Sequence, residues 1–161
     1  MEAGAPIRHA PRMPFLTKGQ LTRHIRTQLD ALLLDDSAAV SRGGTAIYSL
    51  SDPRDVREIR YVGQTTDPRR RYLQHMNTAR LWLPDELPWW VSSPKLRPLY
   101  QWLRELHRDE LRLPVMIVTG WTEEQKQARV LERARIYECL EQRLPLLNFE
   151  AEREGKQIPL L

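Results

Sequence analysis

The sequence predicts an α/β fold: a small three-stranded, mainly antiparallel sheet flanked by helices, with an extra amphipathic helix ahead of it. Three observations predict it. Two β-rich segments, Thr45–Leu50 and Arg57–Gly63, are joined by Ser51-Asp52-Pro53-Arg54-Asp55, the pattern of an antiparallel hairpin. A continuous apolar run, Leu113–Thr119, reads as a strand buried on both faces and therefore central. Segments before, between and after these runs carry apolar residues at helical spacing.

In chain order, residues 1–43 form an N-terminal arm and helix. Pro6, Pro11 and Pro14 loosen the arm. Thr17 is placed to cap a helix running to about Asp35, with Leu21, Ile25, Leu29, Leu32 and Leu33 on one side. That helix either packs on the domain or touches nucleic acid through Lys18, Arg23 and Arg26. Ser41-Arg42-Gly43-Gly44 marks a loop, and the main domain spans 44–150. After the hairpin, Asp67 and Pro68 suit the cap and first position of a helix to about Ala79. Ser93-Pro94 and Arg97-Pro98 compete to start the next, whose stripe is Leu96, Leu99, Leu103 and Leu106. Thr122 with Gln125 has capping-box spacing for a last helix to about Arg143. Residues 151–161 are a polar tail.

The chain of 161 residues suits one domain with an extension. Its formal charge of +4 is a mild attraction to polyanions. A lone cysteine, Cys139, excludes an internal disulfide and on an apolar helix reads as core. The four histidines show no zinc spacing. There is no phosphate loop around Gly43-Gly44 and no nucleophile elbow at Ser92 or Ser93. No stretch reads as a signal peptide or membrane span, so a cytoplasmic location without membrane contact is expected.

Several residues have the chemistry of phosphodiester cleavage, which needs a base for water, a cation for the phosphate, and a metal or acid at the leaving oxygen. Tyr48 and Tyr61 sit on neighbouring strands of the hairpin, where cross-strand packing alone explains two tyrosines. Gly63 ends the second strand and permits close approach. Arg71 and His75, four apart, project from one helix face. Arg69 and Arg70 point elsewhere, toward solvent or nucleic acid. Three arginines in a first helical turn oppose the macrodipole, which suggests an anion nearby. Glu132, with Ala128 and Ile136 on its face, is either paired with a neighbour such as Arg135, metal-bound or shifted in pKa.

Ala46-Ile47-Tyr48, then Tyr61-Val62-Gly63, then Arg71, His75, Glu132 and Asn148 resemble the signature of the GIY-YIG nucleases in order and spacing. The resemblance spans Thr45 to Asn148, about two-thirds of the chain. Ala46 stands where the family has its first glycine, and Val62 where it has isoleucine. The resemblance implies a metal-dependent endonuclease acting on DNA. Tyr48 would activate water as a general base or through a relay. Arg71 would hold the scissile phosphate, and Tyr61 and His75 would position groups or relay protons. Glu132 would bind one divalent ion, usually Mg²⁺. Gly63 and Asn148 would be structural. Many members carry a further His or Lys before the central strand, for which Lys95 is the candidate in this chain; Lys95, Arg69 and Arg70 are candidates for nucleic-acid contact.

A nucleic-acid-binding module with the same fold and little cleavage is the alternative. A protein-interaction adaptor using the first helix and the tryptophan-rich stretch Trp82–Trp90 is the second. Either self-association or a targeting partner would supply substrate choice.

Overall fold

Thr17 starts the first helix through a reciprocal cap. Its hydroxyl accepts from Gln20 N at 3.2 Å and its own N–H donates to Gln20 Oε1 at 2.9 Å, which satisfies two donors that a helix start leaves open. The computed structural model describes residues 16–37, 43–83, 97–108 and 110–148. The elements are α1 (Lys18–Leu32), β1 (Leu33–Asp35), β2 (Thr45–Asp52), β3 (Asp55–Thr65), α2 (Pro68–Thr78), α3 (Arg97–Arg108), β4 (Val115–Thr122) and α4 (Gln125–Glu141).

The α/β class holds, but the sheet has four strands, in the order β1-β4-β2-β3, rather than three. The added strand comes from residues expected to end the first helix. At Leu33 the chain turns extended, and Leu33, Leu34 and Asp35 pair in parallel with Met116, Ile117 and Val118. The apolar pair Leu32-Leu33 suits a helix stripe as well as a strand, so periodicity could not place the break. The remaining pairs are antiparallel.

β2 is the strand buried along its whole length, whereas β4, expected to be the one buried on both faces, is partly exposed toward its end. Ala46, Tyr48 and Leu50 point into the main core with α1, α2 and α3, and Ile47 points into a second core under α4. Leu21, Ile25 and Leu29 of α1 belong to that main core, so α1 packs as part of the domain.

Two attachments fix α2. Tyr72 donates its hydroxyl to Pro114 O at 2.7 Å. The buried Arg104 of α3 donates to the carbonyls of Ala79, Arg80 and Leu83 just past the helix end, matching a cation to the negative end of the helix. The expected box between Thr122 and Gln125 does not form. Thr122 still belongs to β4, Glu124 is the cap residue without a side-chain bond, and α4 ends at Glu141. Arg143 has φ +58°, which stops further helix.

β3 lies at the sheet edge. Along it runs the segment after α4: Leu147 N donates to Arg60 O, and Asn148 takes the place of a strand residue. Its Oδ1 accepts from Val62 N at 2.9 Å and its Nδ2 donates to Val62 O at 2.7 Å. Both Val62 groups are buried, and each left unsatisfied costs about 1–3 kcal/mol. Asn148→Ala is therefore expected to lower unfolding free energy by about 2–4 kcal/mol in urea titration; a loss below about 1 kcal/mol would show that the side chain does not hold the edge.

Candidate active site

β2 and β3 set the centre. Tyr48 pairs across the strands with Gly63, and its ring lies on the bare glycine backbone. A Cβ at position 63 would stand 2.6 Å from both Cζ and the hydroxyl oxygen of Tyr48, so any side chain there requires the Tyr48 ring to shift. The phenol oxygen is thereby carried over β3 toward its outer edge.

α2 supplies the partners. Asp67 caps it by accepting from Arg70 N at 3.1 Å, with Pro68 following. From this start Arg71 and His75 rise on one face. His75 is fully buried, and its Nε2 is 2.7 Å from the Tyr48 oxygen. Its ring also stands edge-on to Tyr61, centroids 5.7 Å apart, and 6.2 Å from Tyr100 of α3. His75 Nδ1 is buried with no hydrogen-bond partner among the described residues. Tyr61 lies 6.3 Å from the Tyr48 ring.

The electrostatics follow from this packing. Burial, then the neighbouring Tyr61, drives the Tyr48 hydroxyl far above the usual tyrosine range, and Arg71 pulls against them. Burial first, and the Arg71 charge second, lower the His75 pKa to about 3, so the imidazole is neutral at physiological pH. Burial pulls the Arg71 guanidinium down, but Tyr48, Tyr61 and Tyr100 raise it overall. Arg71 is half-buried and forms no ion pair among the described residues. Its recorded side-chain contacts are neutral: the Gln74 amide at 3.3 Å and the Tyr48 hydroxyl.

Glu132 comes from the other side of the sheet. α4 covers the face opposite α2, with Ala128 and Ile136 in the second core. Gln64, whose side chain points to that face beside Gly63, donates Nε2 to Glu132 Oε2 at 2.6 Å. The Glu132 charge adds a further upward push to the Tyr48 pKa, behind burial and Tyr61. Arg135 pairs with Glu138 at 3.0 Å.

Tyr48, Tyr61, Arg71 and His75 are therefore brought together, with Gly63 and Asn148 supporting β3, while Glu132 is held by Gln64 on the other face of the sheet. Arg69 is not among them: it pairs with Asp30 of α1 at 3.1 Å. Arg70 is exposed. Lys95, Trp89 and Trp90 lie outside the described residues. Gln64 and Tyr100 were not singled out from the sequence. Tyr100 had a weak signal, one helical position from Leu99 and three from Leu103. Gln64 had only its place beside Gly63. Cys139 is buried, and burial raises its thiol pKa, as suits a core residue. No group of three or more His, Cys, Asp or Glu clusters for metal binding, and no helix is long and apolar enough to cross a membrane, among the described residues. No family model, curated protein or solved structure matches the chain.

Two outcomes are expected. Unfolding frees His75 to bind a proton near its ordinary pKa of 6.5, whereas the folded protein refuses it until about 3. The stability it contributes is full above pH 6.5 and falls by about 1.4 kcal/mol per unit as the pH drops below that. Urea titrations of wild type and His75→Asn at pH 7, 6 and 5 should show a shallower slope in the variant; identical slopes would contradict a buried neutral His75. Gly63→Ala should displace Tyr48 and cost about 1–3 kcal/mol, and an unchanged melting temperature would contradict the contact.

Proposed function

We propose that the chain is a metal-dependent endonuclease of the GIY-YIG type that hydrolyses DNA phosphodiester bonds. The observation that carries this reading is Arg71. Arg54, Arg57, Arg69, Arg112 and Arg135 each hold a carboxylate. Arg71, half-buried, has neutral partners among the described residues and stands beside a buried tyrosine–histidine pair. A partly desolvated guanidinium without a counter-charge favours an anion, and its planar fork suits phosphate.

In the scheme this supports, Arg71 binds the scissile phosphate and neutralises charge that grows as the attacking oxygen bonds to phosphorus. Tyr48 cannot act as a standing phenolate, because its pKa lies far above neutrality. It acts as a relay: its oxygen takes a proton from the attacking water while its own proton passes to His75 Nε2, 2.7 Å away. The phenol stays neutral and His75 becomes the cation. Tyr61 packs against both rings and holds their orientation.

Glu132 fits a hard divalent ion such as Mg²⁺, which keeps most of its waters and needs only one or two carboxylates besides phosphate oxygens. Such an ion supplies stabilisation of charge on the departing 3′ oxygen.

Purified protein with Mg²⁺ should nick supercoiled plasmid. Arg71→Ala and Glu132→Ala should each slow nicking by about 10²–10³-fold while keeping the wild-type melting temperature within a few degrees. Tight DNA binding with no nicking under any divalent ion would sink the enzyme and favour the binding module.

A further inference from the structure

Beside Glu132 runs a chain of hydrogen bonds made by residues that the scheme above does not use. The Thr45 hydroxyl donates to Gln125 Oε1 at 3.5 Å, Gln125 Nε2 donates to Gln64 Oε1 at 2.9 Å, and Gln64 Nε2 donates to Glu132 Oε2 at 2.6 Å. The three supporters come from the first residue of β2, the end of β3 and the first residue of α4. An ionised carboxylate only accepts. It therefore fixes Gln64 with its NH₂ toward Glu132, which turns the Gln64 oxygen toward Gln125 and fixes that amide in turn. Every bond points its donor toward the carboxylate, so each strengthens the next.

We infer that Gln64, backed by Gln125, is the positioning residue of Glu132, holding one carboxylate oxygen so that the side chain is preset for a divalent cation. This inference rests on the metal-dependent reading. Plain strand packing does not ask for Gln64: it pairs with Ile47 on a face that otherwise buries Ile47, Val62, Ala128 and Ile136. An apolar β-former would serve there. A lysine or arginine would orient Glu132 as well but would cancel the charge a cation needs. A neutral amide donor orients the carboxylate and leaves its charge intact. The bond is short, as hydrogen bonds to ionised acceptors are. Groups that orient a metal ligand in this way commonly change metal affinity by about 10–100-fold when removed.

The test uses the full chain carrying Tyr48→Phe to prevent cleavage, bound to a duplex oligonucleotide and titrated with Mn²⁺ under electron paramagnetic resonance. Gln64→Leu should weaken Mn²⁺ binding by about 10–100-fold, Gln125→Leu should weaken it less, and Glu132→Ala should abolish it. With Tyr48 intact, Gln64→Leu should raise the Mg²⁺ concentration for half-maximal nicking and recover most of the rate at saturating Mg²⁺. A structural role alone would lower the melting temperature and the saturating rate together. Gln125→Leu leaves Gln64 in place and carries the test if Gln64→Leu does not fold. Mn²⁺ binding that is lost in Glu132→Ala but unchanged in both glutamine variants overturns the role of Gln64 and leaves the nuclease standing. Mn²⁺ binding that survives Glu132→Ala overturns the metal at Glu132, and the inference with it.

Discussion

Tyr48 lies flat on Gly63, and most of the site depends on that contact. A β-sheet ordinarily keeps its two faces apart, with side chains alternating away from each other and covering layers about 10 Å distant. Here a bare backbone at position 63, where a Cβ would come within 2.6 Å of the phenol oxygen, lets Tyr48 reach out over β3. β3 is an edge strand, and His75 of α2 bonds the phenol oxygen that lies over it. Asn148 makes the edge workable: it satisfies the buried Val62 groups with a side chain, which stabilises the strand without adding another full one beyond it.

The same packing creates an electrostatic imbalance. Burying Tyr48 and His75 keeps both neutral, and Arg71 adds a half-buried positive charge that lacks an acidic partner among the described residues. Proteins usually cover such a charge with a carboxylate, because an uncompensated buried ion costs several kcal/mol, about 3–5 by removal of one partner from a pair. Arg54, Arg57, Arg69, Arg112 and Arg135 each pair with a carboxylate, whereas the partners of Arg71 among the described residues are neutral. The position is held rigidly, since α2 is capped by Asp67, bonded through Tyr72 to Pro114 and closed at its far end by Arg104. Under the proposed function, this fixed charge is where the phosphate would bind.

Much of this was readable from local patterns. The hairpin, its turn at Pro53-Arg54, the Asp67-Pro68 helix start and the pairing of Arg71 with His75 all follow from spacing of a few residues. Long-range partners were less accessible. β1 exists because β4 offers an open parallel edge, which nothing in Leu33-Leu34-Asp35 announces. Arg104 sits inside an apolar stripe and looks exposed by type, yet it is buried because three carbonyls at the end of α2 converge on it. Gln64 is an unremarkable polar residue until Glu132 and Gln125, more than sixty positions later, close around it. Arg69, which type and place suggest for nucleic acid, also forms a surface ion pair with Asp30 of α1.

The imbalance at Arg71 also bears on when His75 can accept a proton. Two causes hold its pKa near 3: burial, which is the larger, and the Arg71 charge. Only the second can be switched. If the anion is a phosphodiester, as proposed, its arrival screens Arg71 and removes that part of the depression, and the charge that builds on phosphorus during attack removes more. His75 thus becomes a better acceptor as the reaction needs one and stays a poor one otherwise. In that arrangement no group in the free protein has to be a strong base at neutral pH. Proton affinity is supplied by the substrate's own charge, delivered through Arg71 to the one imidazole that touches Tyr48.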